Sequence, residues 1–281
     1  MNNKINLARG RTLDLSEPVI MGIVNVTPDS FSDGGQFFNT TAALNHAMQL
    51  LDDGATILDI GGESTRPGAP DVSLEDELQR VIPIIKAIRE QSDCVISIDT
   101  SKAEVMRQAI EAGADIVNDV RALQEPGALE VVAQHPDVVV CLMHMQGQPR
   151  SMQNNPHYND LASEINDFFN QQIAACETAG IKQSQLILDP GFGFGKTLKH
   201  NYQILAQFND FAQFGLPLLA GLSRKSMIGN LLNRDTENRL AGSLAGALIA
   251  AQNGAHIIRV HDVKETADVL GVYQACKQGV L

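Results

Sequence analysis

The chain has 281 residues, 44% of them hydrophobic and 19% charged, with 33 acidic against 21 basic side chains and a formal net charge of −12. This balance suits a globular protein with a large core, and the acidic surplus argues against non-specific binding to nucleic acid or to anionic membranes. Neither the opening stretch MNNKINLARGRTLDL nor the apolar run at residues 138–143 suits a signal peptide or a bilayer span. Cys94, Cys141, Cys176 and Cys276 form no CxxC pair, so the expectation is a soluble cytoplasmic protein with reduced thiols.

Residues 1–16 are expected to cap the bottom of the fold, and after them one unit recurs: a short apolar run, a polar or glycine-rich break, then an amphipathic helix. The first run is residues 19–26, followed by a helix over 41–53. In that helix Leu44, Ala47, Met48 and Leu51 recur at helical spacing, and Gly54 stops it. Runs at 56–62, 95–100 and 115–120 alternate with helices at 74–90, 103–112 and 128–134. Runs at 138–145, 185–191, 217–223 and 256–261 alternate with helices at 161–179, 202–214, 240–253 and 264–277. Each run is too short for a helix and too uniformly apolar for a one-sided strand, so each reads as a strand buried on both faces. Eight such pairs predict a single (β/α)8 TIM barrel filling residues 1–281 as one domain. A doubly wound sheet is the alternative, but no GxGxxG follows the first strand.

Barrel enzymes place their chemistry at the carboxyl ends of the strands. Here those ends carry Asn25; Glu63, Ser64, Thr65 and Arg66; Asp99 and Thr100; Asn118 and Asp119; His144; Asp189; Ser223, Arg224 and Lys225; and Arg259 with His261. Singly, each has a plain explanation: Asp99 and Asp189 as helix caps, Asn118 as part of a turn, Lys225 as a solvated helix start. Together they are costly for packing alone, because buried polar groups require partners.

The carboxylates of Asp99 and Asp189 with the Asn118 amide suit a planar heterocycle bearing N–H donors beside a carbonyl, which Lys225 meets from the other edge. Arg259, His261, Arg66 and the Thr65 hydroxyl suit a phosphate or pyrophosphate. Asn25 and Asp33 offer oxygen ligands for Mg²⁺, an ion that bridges pyrophosphate oxygens. The segment DPGFGFGK, residues 189–196, lacks the spacing of a phosphate loop, and its glycines are expected to let backbone approach a flat ligand between Phe192 and Phe194. His46, His135, His157 and His200 show no ligand spacing and are expected at the surface.

These residues sit in longer motifs: MGIVNVTPDSFSDGG (21–35), GGESTRPGA (61–69), SIDTSK (97–102), VNDV (117–120), LMHMQG (142–147), LDPGFGFGKT (188–197), GLSRKSMIG (221–229) and RVHDV (259–263). In that order, along nearly the whole chain, they resemble the motifs of the dihydropteroate synthase family of pterin-binding enzymes. The resemblance implies a cytoplasmic, homodimeric transferase of folate biosynthesis that joins 7,8-dihydropterin-6-ylmethyl diphosphate to 4-aminobenzoate and releases pyrophosphate. It implies that Asp99, Asn118, Asp189 and Lys225 hold the pterin, and that Thr65, Asn25, Arg259 and His261 hold the pyrophosphate, with Arg66 close by. Mg²⁺ would lie at Asn25 and Asp33, and Phe31, Pro67, Phe194, Ser223 and Lys225 would border the aminobenzoate. Asp99, Lys225, Arg259 and His261 would carry the catalysis. The alternatives are a pterin barrel serving a corrinoid methyltransferase, which has no use for a pyrophosphate clamp, and an inactive pterin-binding protein.

Overall fold

The structure is a computed structural model that describes residues 4–26, 36–64, 71–147, 152–153 and 155–279. The chain opens with a hairpin of β1 (Lys4–Asn6) and β2 (Thr12–Asp14). The alternation then begins with β3 (Val19–Asn25), α1 (Gln36–Asp52), β4 (Ile57–Gly61), α2 (Leu74–Gln91), β5 (Val95–Asp99) and α3 (Ala103–Ala112). It continues with β6 (Ile116–Asp119), α4 (Ala128–Ala133), β7 (Val139–Met143), α5 (Leu161–Thr178), β8 (Leu186–Asp189) and α6 (Leu198–Ala206). The last elements are β9 (Leu219–Ala220), α7 (Ser226–Leu232), α8 (Leu240–Gln252), β10 (Ile257–Val260) and α9 (Val263–Gln278).

Strands β3 to β10 form one eight-stranded parallel sheet in the order β8-β7-β6-β5-β4-β3-β10-β9. A parallel bridge between Leu188 and Leu218, with the Leu188 N–H donating to the Pro217 carbonyl at 2.9 Å, brings its two edges together. The result is the expected (β/α)8 TIM barrel.

Double burial explains why these runs are strands. Alternate residues such as Ile20, Val24, Leu58, Ile60, Ile96, Ile98 and Val117 face the helices in one large core. The intervening Met21, Ile57, Val95, Ile116, Val139, Ile187 and Ile257 face the barrel axis, where they pack on Ile5, Leu7, Leu13 and Leu15 of the hairpin. The hairpin therefore plugs the amino-terminal mouth of the barrel. It is clasped there by Asp115, a fully buried carboxylate that pairs with Arg9 at 3.3 Å, Arg89 at 2.9 Å, and Arg11. Polar chemistry is left to the other mouth.

The helix expected at 202–214 starts earlier and divides. Thr197 caps α6 by accepting the His200 N–H at 3.2 Å, and beyond Gln207 the chain tightens into a 3-10 turn, Phe208–Phe214. With three residues per turn, Phe208 and Phe211 fall on one face, and both are buried in the core. The strand expected at 217–223 shrinks to two residues, because the Lys225 N–H reaches back to the Leu222 carbonyl at 3.1 Å and Arg224 takes the left-handed conformation at φ 56°. Among the described residues no helix is long and apolar enough to cross a membrane.

Candidate active site

Parallel register determines which inward residues share a level. Just above the apolar plug, Ile23 pairs with Asp59 and Asp59 with Ser97; one level higher, Asn25 pairs with Gly61, Gly61 with Asp99 and Asp99 with Asn118. Four strands thus deliver two carboxylates and two amides to the carboxyl-terminal mouth.

Arg259, arriving from β10, ties the two levels together. Its Nε donates to Asp59 Oδ2 at 2.6 Å and its Nη2 to Asp99 Oδ2 at 2.7 Å, while Asn118 Nδ2 donates to Asp59 Oδ2 at 3.2 Å. Burial pushes the Asp99 carboxyl up to about 7; the Arg259 charge opposes this and Asp59 adds to it. Burial alone would lower the Arg259 guanidinium, but Asp59 and Asp99 outweigh it and hold the group raised, so it stays charged. Asp59 is absent from the expected set, although its signal is present: a charged residue in the middle of a strand buried on both faces needs a partner inside the barrel.

The second half of the mouth is built around Asp189 and Lys225. Burial raises the Asp189 carboxyl, against the pull of Lys225 and of the Gly191 N–H that it accepts at 2.7 Å. Burial lowers the Lys225 ammonium to about 8, with Asp189 opposing. Lys225 Nζ donates to the Phe192 carbonyl at 2.6 Å and lies 4.6 Å from the centre of the Phe194 ring. Ser223 Oγ accepts the His261 N–H at 3.2 Å and lies 3.1 Å from His261 Nδ1, which fixes the imidazole at the rim. Arg224 points away to pair with Asp262, joining the two motifs from behind.

The glycines of residues 189–196 have a different task from the one expected. A side chain on Gly191 would sit 2.0 Å from the His144 carbonyl oxygen, and one on Gly195 would sit 2.4 Å from that of Gln146. They bring the loop against the end of β7, and they leave the Phe192 ring closed inside the core. Phe192 is fully buried and stacks on Phe208 at 6.0 Å, whereas Phe194 packs with Val120, Met143 and Met152 beside Lys225. Lys196, which the sequence pattern left unassigned, is buried beneath this loop and donates to the Phe194 carbonyl at 3.1 Å and to the His144 ring at 2.9 Å. His144 therefore anchors a loop. His46 and His157 are exposed, while His135 and His200 are partly buried.

Phe31, Asp33, Thr65, Arg66 and Pro67 lie outside the described residues. The flank of the second of these segments is held by Glu63, which accepts the Val72 N–H at 3.3 Å and pairs with Lys102, itself paired with Glu77. For a metal, no group of three or more His, Cys, Asp or Glu is placed to hold one among the described residues. A side chain at Gly61 would lie 3.8 Å from both Asn25 Oδ1 and Asp99 Oδ2, so the glycine leaves an opening flanked by two oxygens. Asp99 Oδ2 is taken up by Arg259, so of the two it is the Asn25 oxygen that suits a hard cation, one that brings phosphate oxygens of its own.

The mouth thus offers acceptors and an amide for a planar N–H edge, a cation on each side, and a rim of Arg259 and His261 suited to an anion. Residues 21–261 match the sequence pattern of the pterin binding enzymes. The dihydropteroate synthase of Escherichia coli strain K12 is 58% identical over 268 residues, 95% of each chain. The Yersinia pestis dihydropteroate synthase in complex with a sulfonamide drug superposes with a TM-score of 0.92 at 56% identity, covering 96% of this chain and 98% of that one. The Xanthomonas albilineans dihydropteroate synthase with 4-aminobenzoic acid gives a TM-score of 0.92 at 50% identity, covering 99% of each.

Proposed function

The chain belongs to the dihydropteroate synthase family of pterin-binding enzymes, and from that membership we propose how its barrel mouth carries out the reaction. The enzyme is a transferase of folate biosynthesis. It condenses 7,8-dihydropterin-6-ylmethyl diphosphate with 4-aminobenzoate, giving 7,8-dihydropteroate and pyrophosphate. The observation that carries the site assignment is the convergence of Asp99, Asn118, Asp189, Lys225, Arg259 and His261 on one mouth above an apolar plug.

Asn118, Asp189 and Lys225 hold the pyrimidine edge of the pterin, and Asp99 faces the ring that bears the methylene. The methylene C–O bond breaks first, and its electron pair leaves with the pyrophosphate. Arg259, His261, Thr65 and Arg66 take up that negative charge. The methylene cation, delocalised into the pterin, is stabilised by the ionised Asp99. The neutral amine of 4-aminobenzoate, bordered by Phe31, Pro67, Phe194, Ser223 and Lys225, then attacks the methylene, and the resulting ammonium releases its proton to solvent once the C–N bond has formed. No protein nucleophile takes part.

We expect Asp99 and Lys225 to shape the pH dependence, alongside Asp189, whose carboxyl burial also raises. The Asp99 carboxyl loses its proton as pH rises through about 7, and the Lys225 ammonium loses its proton through about 8. The pair of ionised carboxylate and ammonium is therefore most populated between those values. We expect kcat/KM for the pterin substrate to fall on both sides of that window; a flat profile from roughly pH 6 to 9 would remove both groups from the reaction.

Mg²⁺ belongs at Asn25 and Asp33, where it would neutralise charge on the pyrophosphate. One amide and one carboxylate bind Mg²⁺ weakly without phosphate oxygens. Calorimetry is expected to show Mg²⁺ uptake only when pyrophosphate or the pterin substrate is present, and tight uptake by the free protein would contradict this placement.

Residues 1–281 act as one domain in this reading, since one core cluster runs from Ile20 to Leu270. We assign the protein to the cytoplasm, in keeping with Cys94, Cys141, Cys176 and Cys276 as free thiols. A homodimer accounts for the outward apolar residues of α7 and α8: Leu231 is 56% exposed, Leu232 48% and Ile249 40%.

A further inference from the structure

We propose that Asp59, closed inside the barrel in the middle of β4, is a positioning residue of the synthase reaction that sets where Arg259 and Asn118 point. The proposal rests on the reading that those two residues hold the substrates.

A carboxylate with no solvent exposure is costly unless it is paired, and packing alone would be served as well by an apolar residue. The position itself does not demand a charge: Asp59 pairs in register with Ile23 on one side and with the neutral Ser97 on the other. Nor is the carboxylate arranged for its own satisfaction. Both of its bonds fall on Oδ2, from Arg259 Nε at 2.6 Å and Asn118 Nδ2 at 3.2 Å. Oδ1 is buried without a hydrogen-bond partner, as is Ser97 Oγ on the paired strand.

What the arrangement secures is the direction of other groups. The guanidinium is a rigid fork, and Asp59 holds its Nε edge down inside the barrel while one Nη reaches Asp99 at 2.7 Å. Without the lower carboxylate the whole fork is free to swing onto Asp99 as a bidentate pair. That would bury the carboxylate the pterin needs and draw Arg259 away from the pyrophosphate. The same oxygen turns the Asn118 amide so that its nitrogen is engaged below.

Asp59→Asn keeps the shape and an acceptor oxygen while removing the charge. With circular dichroism and thermal denaturation confirming a folded protein, we expect kcat/KM for the pterin pyrophosphate to fall roughly ten- to a hundredfold, with kcat lowered as well as KM raised. The KM for 4-aminobenzoate should not change. In an Arg259→Lys background, where the fork is already lost, Asp59→Asn should add little. Wild-type kinetics in Asp59→Asn, equal rises in both KM values, or full additivity with Arg259→Lys would each overturn the proposal. If Asp59→Asn does not fold, Asp59→Ser carries the same measurements, and failure of both to fold assigns Asp59 to structure alone. Wild-type kinetics in Arg259→Lys and Asn118→Ala would instead overturn the site assignment, and this proposal with it.

Discussion

Arg259→Met is expected to abolish measurable turnover and to destabilise the fold by about 3–5 kcal/mol, the cost of removing one partner from a buried ionic network. Arg259 is bonded to two carboxylates, and its side chain is only 19% exposed, against 0% for Asp59 and 10% for Asp99. Solvent screening is therefore weak. Removing the guanidinium leaves both acids facing each other inside the barrel, and the departing pyrophosphate loses a cation at the rim. Thermal denaturation with steady-state kinetics checks both effects. A variant with unchanged melting temperature would mean that the ion pairs contribute nothing, and unchanged kinetics would take Arg259 out of the site.

Lys225→Ala separates the two effects that Arg259 combines. The Lys225 side chain contributes little to the core: its ammonium is held at a cost, as its lowered pKa indicates, and it donates to the Phe192 carbonyl. The fold should survive with an unchanged far-ultraviolet spectrum. Turnover should not, because a charged hydrogen bond in a closed site is worth roughly 1.5–3 kcal/mol, about ten- to a hundredfold in kcat/KM. Kinetics close to wild type would show that Lys225 touches neither substrate.

The barrel was legible because every strand is buried on both faces, so each appears as a short apolar run that no amphipathic pattern imitates. The exceptions have local causes. β9 loses its end to the Leu222–Lys225 turn, and the helix after α6 is tightened by the need to bury Phe208 and Phe211 together. The two hairpin strands are three residues each, too short for alternation to declare itself, although Ile5 and Leu13 point inward as alternation requires.

In the site, Asp99, Asn118, Asp189 and Arg259 stand at strand ends, where a polar residue after an apolar run is conspicuous. Asp59 sits two residues before the strand end, so it is not marked by position as a rim residue; its charge in a doubly buried run signals a buried partner, and the register adds that it lies level with Ser97. Phe192 and Phe194 show the opposite difficulty. They are two apart in a glycine-rich loop, and periodicity does not reveal that one enters the core while the other stays beside Lys225. That depends on where Gly191 and Gly195 let the backbone meet β7.

The most direct test of the central claim is to incubate the purified protein with 7,8-dihydropterin-6-ylmethyl diphosphate, 4-aminobenzoate and Mg²⁺ and to quantify both products. The account predicts 7,8-dihydropteroate and pyrophosphate in equal amounts, with both lost together in Arg259→Met. Pyrophosphate without dihydropteroate, or neither product from a folded wild-type protein, would contradict it.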